Sequence, residues 1–239
     1  MEHVFAYLVA FLAAALALLS GFGLGTILTP VFLAFYEAKV AVFLVAIVHL
    51  LNNLLKFTLF RKHIDFEIVK RFGILAIVGA FLGAFSQIYI GNEILRKLIG
   101  ILLIFLGLQE WIPSQFQFRF PKSIDPIGGF LSGAVGGLIG NQGVIRSAFL
   151  LNYDISKETF IATGVVIACV IDIVRIPVYW VSYASVLHHA WPSLLILISF
   201  TFLGTLFGNM LLKRVSFSHF RKFVAGTIIL MGVYFLLAS

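Results

Sequence analysis

The chain has 239 residues, of which 61% are hydrophobic and only 11% charged, with a formal net charge of +7 and a mean hydropathy of +1.08. A water-soluble domain carries about a quarter charged residues, so this composition excludes a soluble globular protein and points to an integral membrane protein. The excess cations sit in short loops, where they bear on topology rather than on nucleic-acid binding. A single cysteine, Cys169, excludes an internal disulfide and resembles no metal site.

The first apolar segment, 4–36, is too long for one crossing and is broken by glycine at "SGFGLGTILTP" (20–30). Glu2 and His3 precede it in place of a basic n-region, so it reads as a retained segment and not a signal peptide. Three further segments, at roughly 39–60, 72–90 and 98–112, meet or approach the length of about 20 residues that a spanning helix needs. A linker over 113–125 leads to a second long segment, 126–151, broken at "SGAVGGLIGNQG" (132–143), and then to spans near 158–181, 191–212 and 223–238.

The order is therefore a glycine-broken segment plus three spans, written twice: a first repeat over 1–112 and a second over 126–239, within one membrane domain. "GAFLGA" from Gly79 matches "GTLFGN" from Gly204, and the same offset of 125 carries Arg96-Lys97 onto Arg221-Lys222 and Gly107 onto Gly232. In the span after each break, Asn53 and Lys56 correspond to Asp172 and Arg175. Internal symmetry of this kind is typical of transporter folds.

Loop charge distinguishes parallel from inverted halves. If each broken segment crossed once, the cations would divide six against eight and give no orientation. If each turns back to its starting face, Lys39, Arg96 and Lys97 lie on one side. Arg61, Lys62, Lys70, Arg71, Arg119, Lys122, Lys157, Lys213, Arg214, Arg221 and Lys222 then lie on the other. That asymmetry is what the positive-inside rule favours. The expected fold is an all-α polytopic membrane protein with two inverted repeats and both termini outside. Each break is either a re-entrant hairpin or a pair of short full crossings, which have the same parity.

Three cations stand at membrane depth: Lys56, Arg146 and Arg175. Charges there usually face a bundle interior or a wet cavity and mark function. His49, Asn53 and Lys56 are spaced to share one helical stripe, and Asp172 and Arg175 are three apart on the equivalent helix. Structural alternatives exist for several of them. Lys56 could snorkel toward the interface near Arg61, Asp172 and Arg175 could neutralise each other, and Asn53 could be interhelical glue. Arg146 has no local anion in the sequence, since Asp154 lies eight residues on, in a loop.

A glycine break ends one half-helix and begins another whose N-terminal N–H groups attract anions. "GNQGVIR" (140–146) adds amide donors at Asn141 and Gln142 and a forked cation at Arg146. Irregular backbone at membrane depth must face protein or water. Gly140, Asn141, Gln142, Gly143 and Arg146 are thus expected to line an anion site. Gly23, Gly25, Thr26 and Thr29 form the opposite wall, and Asn53, Lys56 and Arg175 complete it. His49 and Asp172 are candidate proton carriers.

These motifs together resemble the TauE/SafE family of membrane permeases, also described as sulfite exporters. The resemblance rests on "GFGLGTILTPVF" (21–32), "AIVHLLNNLLKF" (46–57), "RFGILAIVGAFLGA" (71–84), "GGFLSGAVGGLIGNQGVIRSAFLL" (128–151) and "FIATGVVIACVIDIVR" (160–175). It implies movement of sulfite, sulfonates or related sulfur anions across the cytoplasmic membrane. Where much of the family has a glycine-rich turn followed by proline, this chain has Asn141-Gln142 and Arg146-Ser147, more donors than that pattern supplies.

The reading is a multi-pass secondary anion transporter working by alternating access. A passive anion channel, or a permease for a non-sulfur anion such as a carboxylate, is the alternative. No phosphate-binding loop, HExxH or GxSxG motif is present, which argues against an ATPase or an intramembrane enzyme. The expected partners are a small anionic substrate and the lipid bilayer. No nucleic acid, cofactor or metal is expected, and a homo-oligomer is left open.

Overall fold

The computed structural model describes residues 2–20, 23–109, 121–212 and 218–237. The proposed linker residues 113–120, the loop cations Arg119, Lys213 and Arg214, and the side chains of Arg221 and Lys222 lie outside the described residues. All regular structure among the described residues is helical. The first half comprises α1 (Glu2–Ser20), α2 (Leu24–Leu33), α3 (Ala38–Phe60), α4 (Phe66–Tyr89) and α5 (Asn92–Gln109). The second comprises α6 (Asp125–Ile139), α7 (Gly143–Leu150), α8 (Lys157–Tyr183), α9 (Leu187–Leu211) and α10 (Ser218–Leu237). The stretches Ala38–His63, Phe66–Tyr89 and Lys157–Leu211 are long and apolar enough to cross a membrane, the last being α8 and α9 together. The span expected at 98–112 begins earlier, at Asn92.

Both expected breaks interrupt the helices. Among the described residues, Gly23 (φ 84°) and Gly140 (φ 82°) are the two with positive φ, a conformation that costs other residues a clash at Cβ. Gly140 closes α6 in the left-handed region, the usual way a helix stops at glycine. After it, α7 turns back. Tyr153 beyond the end of α7 donates its hydroxyl to Asp125 at the start of α6, and the Phe149 ring fills the space a side chain at Gly128 would need. With 8 residues α7 is about 12 Å long, far short of the roughly 30 Å of hydrocarbon, and it folds back along α6. The Lys122 ammonium caps the latch, 4.6 Å from the centre of the Tyr153 ring. Burial, and after it the bond to Asp125, raises the Tyr153 pKa, so the phenol remains a donor. In the first half α2 has only 10 residues, and Val31, Phe32, Phe35 and Tyr36 at its far end share a crevice with Ala6 and Tyr7 near the start of α1.

Small residues let the hairpins approach their neighbours closely. A β-carbon at Gly79 or Gly83 of α4 would collide with the carbonyls of Phe130 or Ala134 on α6. Gly129, Gly133 and Gly137 of α6 lie just as tightly against Phe72, Ala76 and Ala80 of α4. Without a hydrophobic drive between helices in lipid, this close van der Waals contact is the main source of association. On the other side, Gly204 and Gly208 of α9 press against Phe11 and Ala15 of α1 in the same way. Gly100 of α5 meets Gly232 of α10, and Gly107 meets Ala225. Large apolar side chains such as Ile74, Phe81, Phe105 and Leu203 stay exposed on the outside of the bundle, as lipid-facing residues do.

α3 and α8 run antiparallel through the centre. Phe43 packs against Tyr179, Trp180 and Tyr183 at one end, while Phe60 clusters with Ala162, Leu18 and Leu212 at the other. Lys39 and Asn92 are hydrogen-bonded at the Phe43 end. Arg61, Lys62 and Lys157 therefore flank the Phe60 end, opposite Lys39 and the 184–186 turn.

Candidate anion site

The two glycine breaks meet at the centre. Thr26 at the start of α2 donates its hydroxyl to Asn141 Oδ1 at 2.8 Å. A β-carbon at Gly25 would stand 2.8 Å from the Gly140 carbonyl, and one at Gly23 3.7 Å from Gly143 Cα. Glycine is needed here because backbone meets backbone. Thr26 and Asn141 thus tie the breaks together in this conformation, whereas the sequence suggested free donors. The Thr29 hydroxyl and Gln142 Oε1 are buried without a hydrogen-bond partner.

The C-terminal carbonyls of α6, where the intrahelical ladder runs out, are served by side chains from other helices, and Gly136 O accepts as well from the Gly140 N–H. Arg175 Nη1 donates to Gly136 O at 2.9 Å, Tyr179 donates its hydroxyl to Gly137 O, and Gln87 Nε2 donates to Leu138 O at 2.8 Å. Ser132 Oγ reaches across the break to Gln142 O at 2.9 Å. A cation at a helix C-terminus also favours the dipole. Tyr179 and Gln87 were not legible as site residues. The nearest signal was that Tyr179 lies one turn beyond Arg175.

Arg175 is fully buried and largely committed: beyond Gly136, its Nε donates to Asp172 Oδ1 at 2.9 Å. The other carboxylate oxygen of Asp172 lies 2.6 Å from His49 Nδ1 on α3. Both partners are buried, so the carboxylate bridges two helices, its charge compensated by Arg175 and its second oxygen hydrogen-bonded to His49. The Asp172–Arg175 pair is therefore built as the structural reading expected, and His49 joins it. Asn53 touches the His49 ring at 3.1 Å on its own helix. The interhelical glue is instead Asn52, which donates to Thr201 O at 3.0 Å and to Thr205 Oγ1 at 2.8 Å on α9. Gln142 Nε2 sits 3.4 Å from Ala168 O and 3.5 Å from Asp172, loosely held.

Two cations remain uncompensated. Lys56 is 5% exposed, which overturns snorkelling: its side chain is inside, between the levels of His49–Asp172 and Phe60–Ala162 on the α3–α8 pair. Arg146 extends from α7 over Gly164 of α8, its Nε lying 3.2 Å from where a β-carbon there would be. Its Nε and Nη1 are buried and have no hydrogen-bond partner. Lys56 and Arg146 are close enough to repel one another, and the nearest negative charge to Arg146 is Asp172, which is already ion-paired to Arg175. Among the described residues neither Lys56 nor Arg146 takes part in an ion pair, whereas Arg175 does, and His49 contacts the same carboxylate. Buried donors without partners are rare and costly, and a buried unpaired cation more so. Unsatisfied donors and unpaired positive charge of this kind are what an anion compensates.

No group of side chains able to hold a metal ion occurs among the described residues. Comparison with known proteins gave one result: residues 6–235, nearly the whole chain, match the family model described as sulfite exporter TauE/SafE. No curated protein and no solved structure matches.

Proposed function

We propose that this chain, which belongs to the sulfite exporter TauE/SafE family, is a secondary transporter that carries small sulfur-containing oxyanions across the cytoplasmic membrane by alternating access. The family and the apolar helices make it a multi-pass membrane protein of a transporter family. The observation that carries the finer reading is Arg146, whose buried Nε and Nη1 lack partners beside a helix break. An oxyanion bound there would supply the missing acceptors and charge-assisted hydrogen bonds.

The packing supports duplicated, inverted halves. The offset of 125 that relates Gly79 to Gly204 also relates Gly83 to Gly208, and the residues they touch, Phe11 and Phe130, Ala15 and Ala134, share the offset of 119 seen between Asn53 and Asp172. Exchanging the halves thus maps the α4–α6 contact onto the α9–α1 contact. The corresponding helices α3 and α8 run antiparallel, as inversion requires. The cation-rich Phe60 end is then cytoplasmic.

In this mechanism the breaks form the fixed site and the halves rock around it. Thr26–Asn141 is the contact between breaks that rocking must remake. His49 and Asp172, already sharing a short contact, are the proposed proton carriers. The test is uptake of labelled sulfite into proteoliposomes with and without a pH gradient. Accumulation above the equilibrium ratio supports a coupled transporter, and simple equilibration supports a passive channel. No flux of sulfite, sulfonate or carboxylate would overturn the reading.

A further inference from the structure

Resting on that anion-transport reading, we infer that the Lys56–Arg146 site selects a divalent oxyanion over a monovalent one of the same shape. The local charge decides it. Around the break stand three fixed cations, Lys56, Arg146 and Arg175, and one carboxylate, Asp172. Arg175 and Asp172 lie 2.8 Å apart and cancel each other, and His49 shares the second oxygen of that same carboxylate. The remaining buried carboxylate among the described residues, Asp125, is held by Tyr153 at the mouth of the hairpin. Two positive charges are left over.

Their placement makes them one site. Along the antiparallel α3–α8 pair, His49 stands opposite Asp172 and Phe60 beside Ala162. Lys56, between them, therefore falls level with residues 164–167 of α8, and the Arg146 guanidinium lies over Gly164. A monoanion entering this space would leave one buried positive charge uncompensated, which a low-dielectric interior penalises. A dianion cancels both. Gly164 leaves room for the guanidinium, since a side chain there would press on it, so both cations stand at the same level of α8.

The test uses purified full-length protein and two isosteric pairs: sulfite against methanesulfinate, and sulfate against methanesulfonate. Each pair differs by one charge at nearly the same size. Binding is measured calorimetrically at constant ionic strength, because salt screens such differences, and at mildly alkaline pH, where sulfite is divalent. The expected result is that the divalent member of at least one pair binds about tenfold or more tightly than its monovalent partner. Lys56→Met should bring that ratio close to unity, and Lys56→Arg should preserve it. Equal or tighter binding of the monovalent members to wild type overturns this inference while leaving anion transport standing. So does a ratio unchanged in a folded Lys56→Met protein. If Lys56→Met does not fold, the wild-type ratio still decides. Absence of binding by all four anions and by carboxylates overturns the transport reading and this inference with it.

Discussion

His49 Nδ1 on α3 and Asp172 Oδ2 on α8 lie 2.6 Å apart, both buried, in the middle of the bundle. With Arg175 on its other oxygen at 2.9 Å, Asp172 is the acceptor for two charged or chargeable partners from two helices. Asp172→Asn keeps the size but removes the charge that holds both. Removing one partner from a buried charge pair costs about 3–5 kcal/mol. Thermal unfolding in detergent should therefore show a large drop in Tm, and any flux driven by a pH gradient should disappear. A Tm within a degree or two of wild type would mean that the carboxylate contributes little to holding α3 on α8.

Arg175→Gln should separate structure from binding. The substitution strands Asp172 and deprives the Gly136 carbonyl of its 2.9 Å donor at the end of α6. Stability is expected to fall by about 3 kcal/mol or more, with a smaller change in anion affinity among the molecules that remain folded. The opposite pattern, normal Tm with affinity lost, would place Arg175 in direct contact with substrate.

How far the sequence reaches is clearest at the two breaks. Glycine placement announced both interruptions, because a left-handed residue and a backbone-to-backbone approach each demand glycine, and Gly23, Gly25 and Gly140 meet those demands. Parity of loop charge implied that each segment turns back, and Tyr153–Asp125 closes the second one as a hairpin. Lys56, Arg146, Asp172 and Arg175 were visible because a charge in an apolar run is conspicuous. Their pairings were not. The contact between His49 and Asp172 joins residues 123 apart, and no local spacing encodes the register of α3 on α8. Asn52 and Asn53 are neighbours in sequence, yet helix phase sends one to Thr201 and Thr205 and the other to His49. Only the packed bundle distinguishes the glue from the site.

Tyr153→Phe tests the latch at the mouth of the second hairpin. Asp125 is 1% exposed and its Oδ1 already lacks a partner, so losing the Tyr153 hydroxyl leaves the carboxyl with less than it has now. Leaving a buried acceptor unsatisfied costs about 1–3 kcal/mol. Hydrogen exchange of α7 amides should rise more than that of α3 or α8, since the loss is local to one arm. Uniform exchange across all helices would argue that the latch holds the whole bundle instead.

Labelling can read the orientation of the halves. Lys62 and His188 are both exposed, and they sit at opposite ends of the α3–α8 pair. In a Cys169→Ser background, which removes the single native thiol, Lys62→Cys and His188→Cys should react with an impermeant thiol reagent from opposite sides of the membrane. The proposed inverted topology puts Lys62 inside. Reaction of His188→Cys from the cytoplasm only would reverse the orientation.

Arg146 is the position on which the anion reading depends most. Its Nε and Nη1 are buried and unsatisfied, and it lies near a second cation, Lys56, without forming an ion pair. Arg146→Gln keeps an amide donor but removes the fixed charge and the fork. Loss of a hydrogen bond to a charged group should weaken oxyanion binding by about 1.5–3 kcal/mol, roughly 10- to 100-fold. The empty protein should be no less stable, and slightly more so, because an unpaired buried cation is a liability until an anion arrives. Arg146→Lys should recover part of the affinity, since a point charge cannot reproduce two directed N–H bonds. Affinity by calorimetry and Tm, taken side by side for wild type and both variants, give the answer. Were Arg146→Gln to bind sulfite as wild type does while losing several degrees of Tm, the guanidinium over Gly164 would be a packing element and the substrate would have to bind elsewhere.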